Sequence, residues 1–231
     1  MSSVTVGRGE APLRPGRIVR LPGVYAPQAD SYFLAGALRR EGIGPGMDVL
    51  DLCTGTGALA LRAARLGARV TAVDISRRAV ATARLNASLA GLRVSVHRGD
   101  LLAALPGRRF DAVISNPPYV PVPRAALPRH GAERAWDAGR DGRALLDRIC
   151  DTAPDALRSG GLLLMVHSAL SRPEETVRRL ERAGLSASVG ERISIPFGPV
   201  LRGRLDWLHD RGLLPAGANT EELVIIRARK G

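Results

Sequence analysis

Two patterns of apolar and polar positions alternate along most of the chain. Short, nearly continuous apolar runs at residues 49–52, 69–74, 93–97, 110–115 and 161–167 read as buried strands. Between them apolar residues recur every three or four positions, at about 59–66, from Ser76 to about 90, at 144–157, and from Pro173 to near Gly184. That spacing lays one apolar stripe along a helix. Strand and helix signals that alternate in this way predict an α/β fold. With two further strands at 187–189 and 223–227, the expectation is a mostly parallel seven-stranded sheet with helices on both faces.

Ahead of the first strand, residues 32–38 have helical spacing, Asp30 is the expected N-cap, and Gly44-Pro45-Gly46 closes the unit. Residues 1–23 hold Gly, Pro and Arg without periodicity and are expected to form a flexible arm, which leaves 24–231 as one domain. Residues 196–217 are punctuated by Gly and Pro around a short helix at 205–209.

Length and composition narrow the class. A chain of 231 residues supports one well-buried core and is short for two. The longest apolar candidate for a membrane span, 162–166, falls far below the roughly 20 residues that a membrane helix needs, and the polar N-terminus lacks the apolar stretch of a signal peptide. A cytoplasmic protein is expected. Cys53 and Cys150 stand far apart without a CxxC pair or a neighbouring histidine, so neither a disulfide framework nor a metal site is expected. The net charge of +12 would suit an anionic partner such as RNA, DNA or the ribosome. The basic residues are arginines apart from Lys230, and they are spread over every predicted helix, so nucleic acid is a possible but not the preferred partner.

The candidate chemistry centres on Asn116-Pro117-Pro118-Tyr119, at the end of the 110–115 run. Two consecutive prolines remove two backbone donors and lock two φ angles, so the strand stops and the backbone forms a stiff, extended corner. An Asn side-chain oxygen and a free backbone carbonyl can accept both hydrogens of a planar NH2 group, while a Tyr face packs against the flat group that carries it. The bracket is a clamp for an amide or an exocyclic amine.

A glycine loop, Asp51-Leu52-Cys53-Thr54-Gly55-Thr56-Gly57, follows the first strand directly. Gly55 and Gly57 allow a tight turn and the close approach of a ligand to bare peptide groups. The spacing Gly55-x-Gly57-x-x-Ala60, with Asp74 about 20 residues beyond Asp51, also fits a dinucleotide fingerprint. Three carboxylates favour S-adenosylmethionine instead. Asp51 ahead of the glycines would attract the cationic methionine end and repel a pyrophosphate; Asp74 closes the second strand, placed for a ribose diol; and Asp100-Leu101 follows the third, placed for an adenine amine and its ring. All three are expected to face one crevice at the strand ends.

These elements together resemble the class I S-adenosylmethionine-dependent methyltransferases, and within them the HemK/PrmC-type protein glutamine N5-methyltransferases. Over roughly residues 24–195 the resemblance rests on Val24-Tyr25-x-Pro27-x-x-Asp30-Ser31, the glycine loop, the Asn-Pro-Pro-Tyr bracket, and Ala135-Trp136-x-x-Gly139-x-Asp141-Gly142-Arg143. It is nearest to the short eukaryotic and archaeal-like branch, which lacks an N-terminal helical domain. The resemblance implies a Rossmann-like class I methyltransferase fold, S-adenosylmethionine as cofactor, and the Gly-Gly-Gln glutamine of a peptide-chain release factor as acceptor. It implies cofactor contacts from Asp30, Ser31, Asp51, Cys53, Gly55, Gly57, Asp74, Asp100, Leu101 and Asn116, with Asn116, Pro117 and Tyr119 at the acceptor. Relatives of the short branch often pair with a small zinc-binding activator protein. Two departures stand out: Cys53 replaces a glycine found in many relatives, and the segment from Phe197 to Gly217 is longer than in short eukaryotic relatives. Because the bracket would hold any planar amine, N6-methylation of adenine in RNA or DNA is the alternative reading, followed by a small-molecule amine and a non-catalytic cofactor-binding protein.

Overall fold

In a computed structural model, residues 18–124, 128, 131–215 and 217–231 are described. Helix α1 (Ala29–Arg40) leads into β1 (Asp48–Leu52), α2 (Ala58–Arg65), β2 (Arg69–Asp74), α3 (Arg77–Leu89), β3 (Val94–Arg98) and β4 (Phe110–Ser115). After a long connection come α4 (Ala144–Ala156), β5 (Leu157–Ser168), α5 (Pro173–Arg182), β6 (Leu185–Pro196), α6 (Pro199–Arg202), α7 (Leu205–Asp210) and β7 (Thr220–Lys230). The strands form one seven-stranded sheet in the order β3-β2-β1-β4-β5-β7-β6. The pairs from β3 through β5 are parallel, and β7 runs antiparallel between β5 and β6. Strand order reverses between β1 and β4, and a crevice opens at the carboxyl ends of the strands there.

The central strands bury both faces, which is why they read as continuous apolar runs. In β4, Ala112 and Ile114 face the core under α1, α2 and α3, while Val113 faces the core under α4 and α5. In β1, Val49 joins the first core, and Leu50 and Leu52 join the second. Ser76 caps α3 as expected, its hydroxyl accepting from Ala79 N at 3.4 Å. Among the described residues no helix is long and apolar enough to cross a membrane.

Three expectations are corrected. Strands β6 and β7 are longer than 187–189 and 223–227, because β6 is an edge strand whose polar residues alternate with half-buried ones, and because its register shifts between Val189 and Arg192. Such a shift, with Glu191 and Arg192 beside it, protects an edge against further pairing. Second, α1 starts one residue before Asp30, with Gln28 at the N-cap, so Asp30 lies in the first turn and its side chain is engaged elsewhere. Third, the described part of the expected flexible arm is tied down: Val19 N donates to Asn86 Oδ1 and Asn86 Nδ2 donates to Val19 O, both at 2.9 Å. Residues 1–17 of that arm lie outside the described residues.

The segment after the bracket is anchored by Arg143, the largest fully buried side chain, at 1% exposure. Its guanidinium donates to Ser171 O, to Arg172 O at 3.0 Å, to Thr176 Oγ1 at 3.1 Å and to Asp147 Oδ1 at 2.7 Å. The adjoining Gly142 has φ +71°, and a Cβ there would lie 2.2 Å from the Tyr119 carbonyl oxygen, so only glycine fits. Ser171 Oγ donates to that same carbonyl at 2.8 Å. Replacing Arg143 by Leu strands these acceptors in the core and should cost about 3–5 kcal/mol of unfolding free energy, measured by urea titration. A loss below about 1 kcal/mol would contradict this anchoring role.

Candidate active site

A cavity of about 630 Å³ occupies the crevice. One end is built by the turns after the first three strands: Cys53 to Thr56 after β1, Asp74 to Ser76 after β2, and Gly99 to Leu101 after β3. The other end is built by Asn116 to Tyr119 after β4, by Tyr25, Asp30 and Ser31 around the start of α1, and by Ile195, Pro196 and residues 198–201 with Glu221.

In the glycine loop the two glycines act differently. A Cβ on Gly55, at φ +56°, would meet nothing within 4 Å, so this residue leaves bare backbone toward open space. A Cβ on Gly57, at φ +85°, would lie 3.1 Å from Ala83 Cβ, and Gly57 does not line the cavity. Its role is the close packing of α2 on α3. Cys53 lines the cavity at φ +59° and packs against the core under α4; burial pushes its thiol up, so it is protonated and unreactive at neutral pH.

The three expected carboxylates do not share one crevice. Asp74 and Asp100 line the cavity, whereas Asp51 is fully buried beneath the loop. Asp51 Oδ2 accepts from Thr54 Oγ1 at 2.6 Å and from Ala60 N at 3.1 Å, bracing the turn into α2. It sits one residue before the end of β1, on the side of the sheet that α2 covers. Burial pushes its carboxyl up to about 7, and its Oδ1 is buried with no hydrogen-bond partner. Asp74 Oδ2 accepts from Gly55 N at 2.9 Å and Oδ1 from Ser76 N at 2.8 Å, and burial also raises this carboxyl. Asp100 is exposed and paired with Arg148 at 2.8 Å, and Leu101 beside it is buried at φ +48°. Bare backbone at Gly55, acceptors at Asp74 and Asp100, and the apolar Leu101 together make a surface fitted to a nucleoside, while the unpartnered Asp51 Oδ1 fits a nearby cationic donor.

At the other end, Asn116 Nδ2 donates to Ser31 Oγ at 3.2 Å. Its Oδ1 is thereby left to accept from a ligand. Pro117 and Pro118 line the cavity beside it. Tyr119 is 9% exposed, and its hydroxyl donates to Asp30 Oδ2 at 3.1 Å; Tyr25 donates to the same oxygen at 2.8 Å. Burial, then the Asp30 charge, raises both phenols, so both remain donors. Trp136 to Ala138 run beside Val120, with Val120 N donating to Trp136 O at 2.8 Å and Ala138 N to Val120 O at 3.0 Å. The Trp136 segment is thus a pinned strap along the cavity wall.

Residues 16–126 match the methyltransferase small domain family. A putative protein N5-glutamine methyltransferase of Methanocaldococcus jannaschii is 33% identical over 177 residues, which covers 76% of this chain and 88% of the relative. The chain belongs to the protein glutamine methyltransferase family. A release factor glutamine methyltransferase of Deinococcus radiodurans is 42% identical over 61% of this chain and 52% of the relative, so the chain spans about half the length of this bacterial protein. A ribosomal protein uL3 glutamine methyltransferase of Bradyrhizobium diazoefficiens is 47% identical over 50% of this chain and 39% of the relative. Among solved structures, a chain of the E. cuniculi Mtq2–Trm112 complex, described as responsible for methylation of the eRF1 translation termination factor, is 27% identical with a TM-score of 0.63, covering 90% of this chain and 99% of that one.

In this glutamine methyltransferase family member the structure also makes contacts that sequence patterns do not mark. Asp30 and Tyr25 join Tyr119 through a contact 89 positions apart in the chain. Arg204 donates to Pro121 O at 3.0 Å and to the buried Asp137 Oδ1 at 2.6 Å, so the segment at 196–217 clamps the strap after the bracket. Glu221, in an ordinary charged lead-in to a strand, carries no signal in the sequence. The two glycines supply the test of the loop: Gly57→Ala adds left-handed strain and a clash with Ala83, and should lower stability by at least about 1 kcal/mol more than Gly55→Ala, which adds strain alone. Equal losses in urea unfolding would contradict the division of roles.

Proposed function

We propose that this methyltransferase uses S-adenosylmethionine to methylate the side-chain amide nitrogen of a glutamine in a protein, and that the protein is a peptide-chain release factor. The observation that carries this reading is the orientation of Asn116, whose NH2 group is held by Ser31 and whose oxygen is left as an acceptor beside the rigid Pro117 carbonyl. Two acceptors on a stiff corner match the two hydrogens of a planar amide.

In this reading Cys53, Gly55, Asp74, Asp100 and Leu101 form the cofactor end, with Gly57 and Asp51 supporting it from beneath. S-adenosylmethionine, when bound, would supply an electrophilic methyl carbon, with the sulfur of neutral S-adenosylhomocysteine as the leaving group. The amide nitrogen of the acceptor is a poor nucleophile, because its lone pair is delocalised into the carbonyl. As it gains a bond to carbon it loses planarity and becomes positive. Asn116 Oδ1 and the Pro117 carbonyl accept its hydrogens and stabilise that charge in a partly buried site. One of those hydrogens is then released as a proton, a step that needs no strong base because the cationic amide is acidic. Alignment of the reacting atoms by the bracket supplies much of the remainder, since good positioning can be worth about 7–11 kcal/mol. Tyr119 forms the wall, with its hydroxyl fixed by Asp30.

The release factor reading is supported by the names of several relatives and of the E. cuniculi complex. A small partner subunit of the kind in that complex would find a free strand edge at β3, with Leu85 and Leu89 of α3 exposed beside it. The β3 edge itself is polar, exposing Ser95 and Arg98, so apolar contact would come from α3.

Asn116→Ala should lower kcat on release factor by about 10²–10³-fold, the scale seen when one charge-stabilising hydrogen bond is removed. Binding of S-adenosylhomocysteine, followed by calorimetry, should change little. Wild-type turnover in this variant would overturn the mechanism.

A further inference from the structure

The acceptor end of the cavity holds a carboxylate that the reaction above leaves unused and that, unlike Asp137, has no arginine partner among the described residues. Glu221, the second residue of β7, sits in register with Ile195 of β6, and both line the cavity. Glu221 is 6% exposed, and its Oε1 is buried with no hydrogen-bond partner. Burial pushes its carboxyl up to about 7, against the Ser168 hydroxyl, which favours the charged form. The charges around it are of its own sign: Asp30 acts on it, and it acts in turn on the phenols of Tyr25 and Tyr119. Neither phenol can serve it, because both donate to Asp30. An acceptor oxygen held in a cavity wall without a donor is costly, and a ligand that brings an N–H removes that cost.

The ligand's donor can be specified further. Asn116 Oδ1 and the Pro117 carbonyl take the two hydrogens of the methylated amide, so a third acceptor must address another N–H on the same molecule. A polypeptide has such donors along its main chain. A nucleic acid would bring phosphates toward Asp30 and Glu221, neither of which has a paired cation among the described residues, and like charges so placed repel.

We propose that Glu221 is an acceptor-binding residue: its Oε1 accepts a hydrogen bond from a main-chain N–H of the polypeptide segment that carries the glutamine, and so selects a peptide over a phosphate-bearing acceptor. This rests on the protein-glutamine reading given above.

The test is steady-state methylation of purified release factor by the wild-type protein, Glu221→Leu and Glu221→Gln, with S-adenosylhomocysteine affinity by calorimetry and the thermal midpoint measured alongside. For Glu221→Leu the expected result is a KM for the factor raised about tenfold or more, the scale of a lost hydrogen bond to a charged group. Its kcat and its S-adenosylhomocysteine affinity should stay near the wild-type values, and its thermal midpoint should hold or rise, because the unpartnered acceptor is gone. Glu221→Gln keeps an acceptor oxygen and should restore most of the affinity for the factor. An unchanged KM in Glu221→Leu, or a parallel loss of kcat, cofactor-product affinity and thermal midpoint, would overturn the role of Glu221 alone. A release factor left unlabelled by the wild-type protein would overturn the protein-glutamine reading, and this proposal with it.

Discussion

The acceptor end of this site depends on the carboxylate of Asp30. Only 3% exposed, it receives the hydroxyls of Tyr25 and Tyr119 on one oxygen, and the amide and hydroxyl of Ser31 on the other. A buried carboxylate with no partner would be prohibitive, and four donors make it tenable. Those four donors also give it reach. Through Tyr119 it fixes the aromatic wall of the bracket, and through Ser31 it sets which way the Asn116 amide points. The first turn of α1 is therefore part of the chemistry of a loop 85 residues further along.

The rest of the fold brings those parts together and keeps them stiff. Parallel strands place three consecutive turns at one end of the sheet, and the reversal of strand order between β1 and β4 opens the crevice into which they face. Behind the bracket, Gly142 and Ser171 close on the Tyr119 carbonyl, and the buried Arg143 ties this loop to the start of α5. In front, Arg204 from the long segment after β6 grips Pro121 O and Asp137. The start of that segment, at Pro196 and residues 198–201, is a wall of the acceptor cavity. Many arginines are neutralised in surface pairs such as Arg179 with Asp151 and Arg158 with Asp111, and the acceptor end carries the acidic side chains of Asp30, Asp137 and Glu221.

Strands β1, β2, β4 and β5 were legible because burial on both faces makes each a nearly continuous apolar run, a signal that survives without tertiary information. Edge strand β6 was legible only over 187–189, since one wet face and a shifted register dilute the rest of its pattern. At the site, the bracket and the glycine loop were legible because proline and glycine constrain the backbone locally. What local pattern could not show is how side chains are shared out. Asp51 reads like a crevice carboxylate and instead braces the loop from below, because Thr54 and Ala60 present donors on its side of the sheet. The pairing of Asp30 with Tyr119, and of Arg204 with Asp137, joins residues far apart in the chain, and Glu221 becomes exceptional only once burial strips it of water and partners.

The central claim is that the Asn116 bracket presents its two acceptors to a protein glutamine. The most direct measurement offers labelled S-adenosylmethionine with intact release factor, the same factor with its Gly-Gly-Gln glutamine changed to alanine, tRNA, ribosomal RNA and duplex DNA. Label on the intact factor alone is the predicted result. Equal label on the altered factor, or label on RNA or DNA instead, would contradict the account.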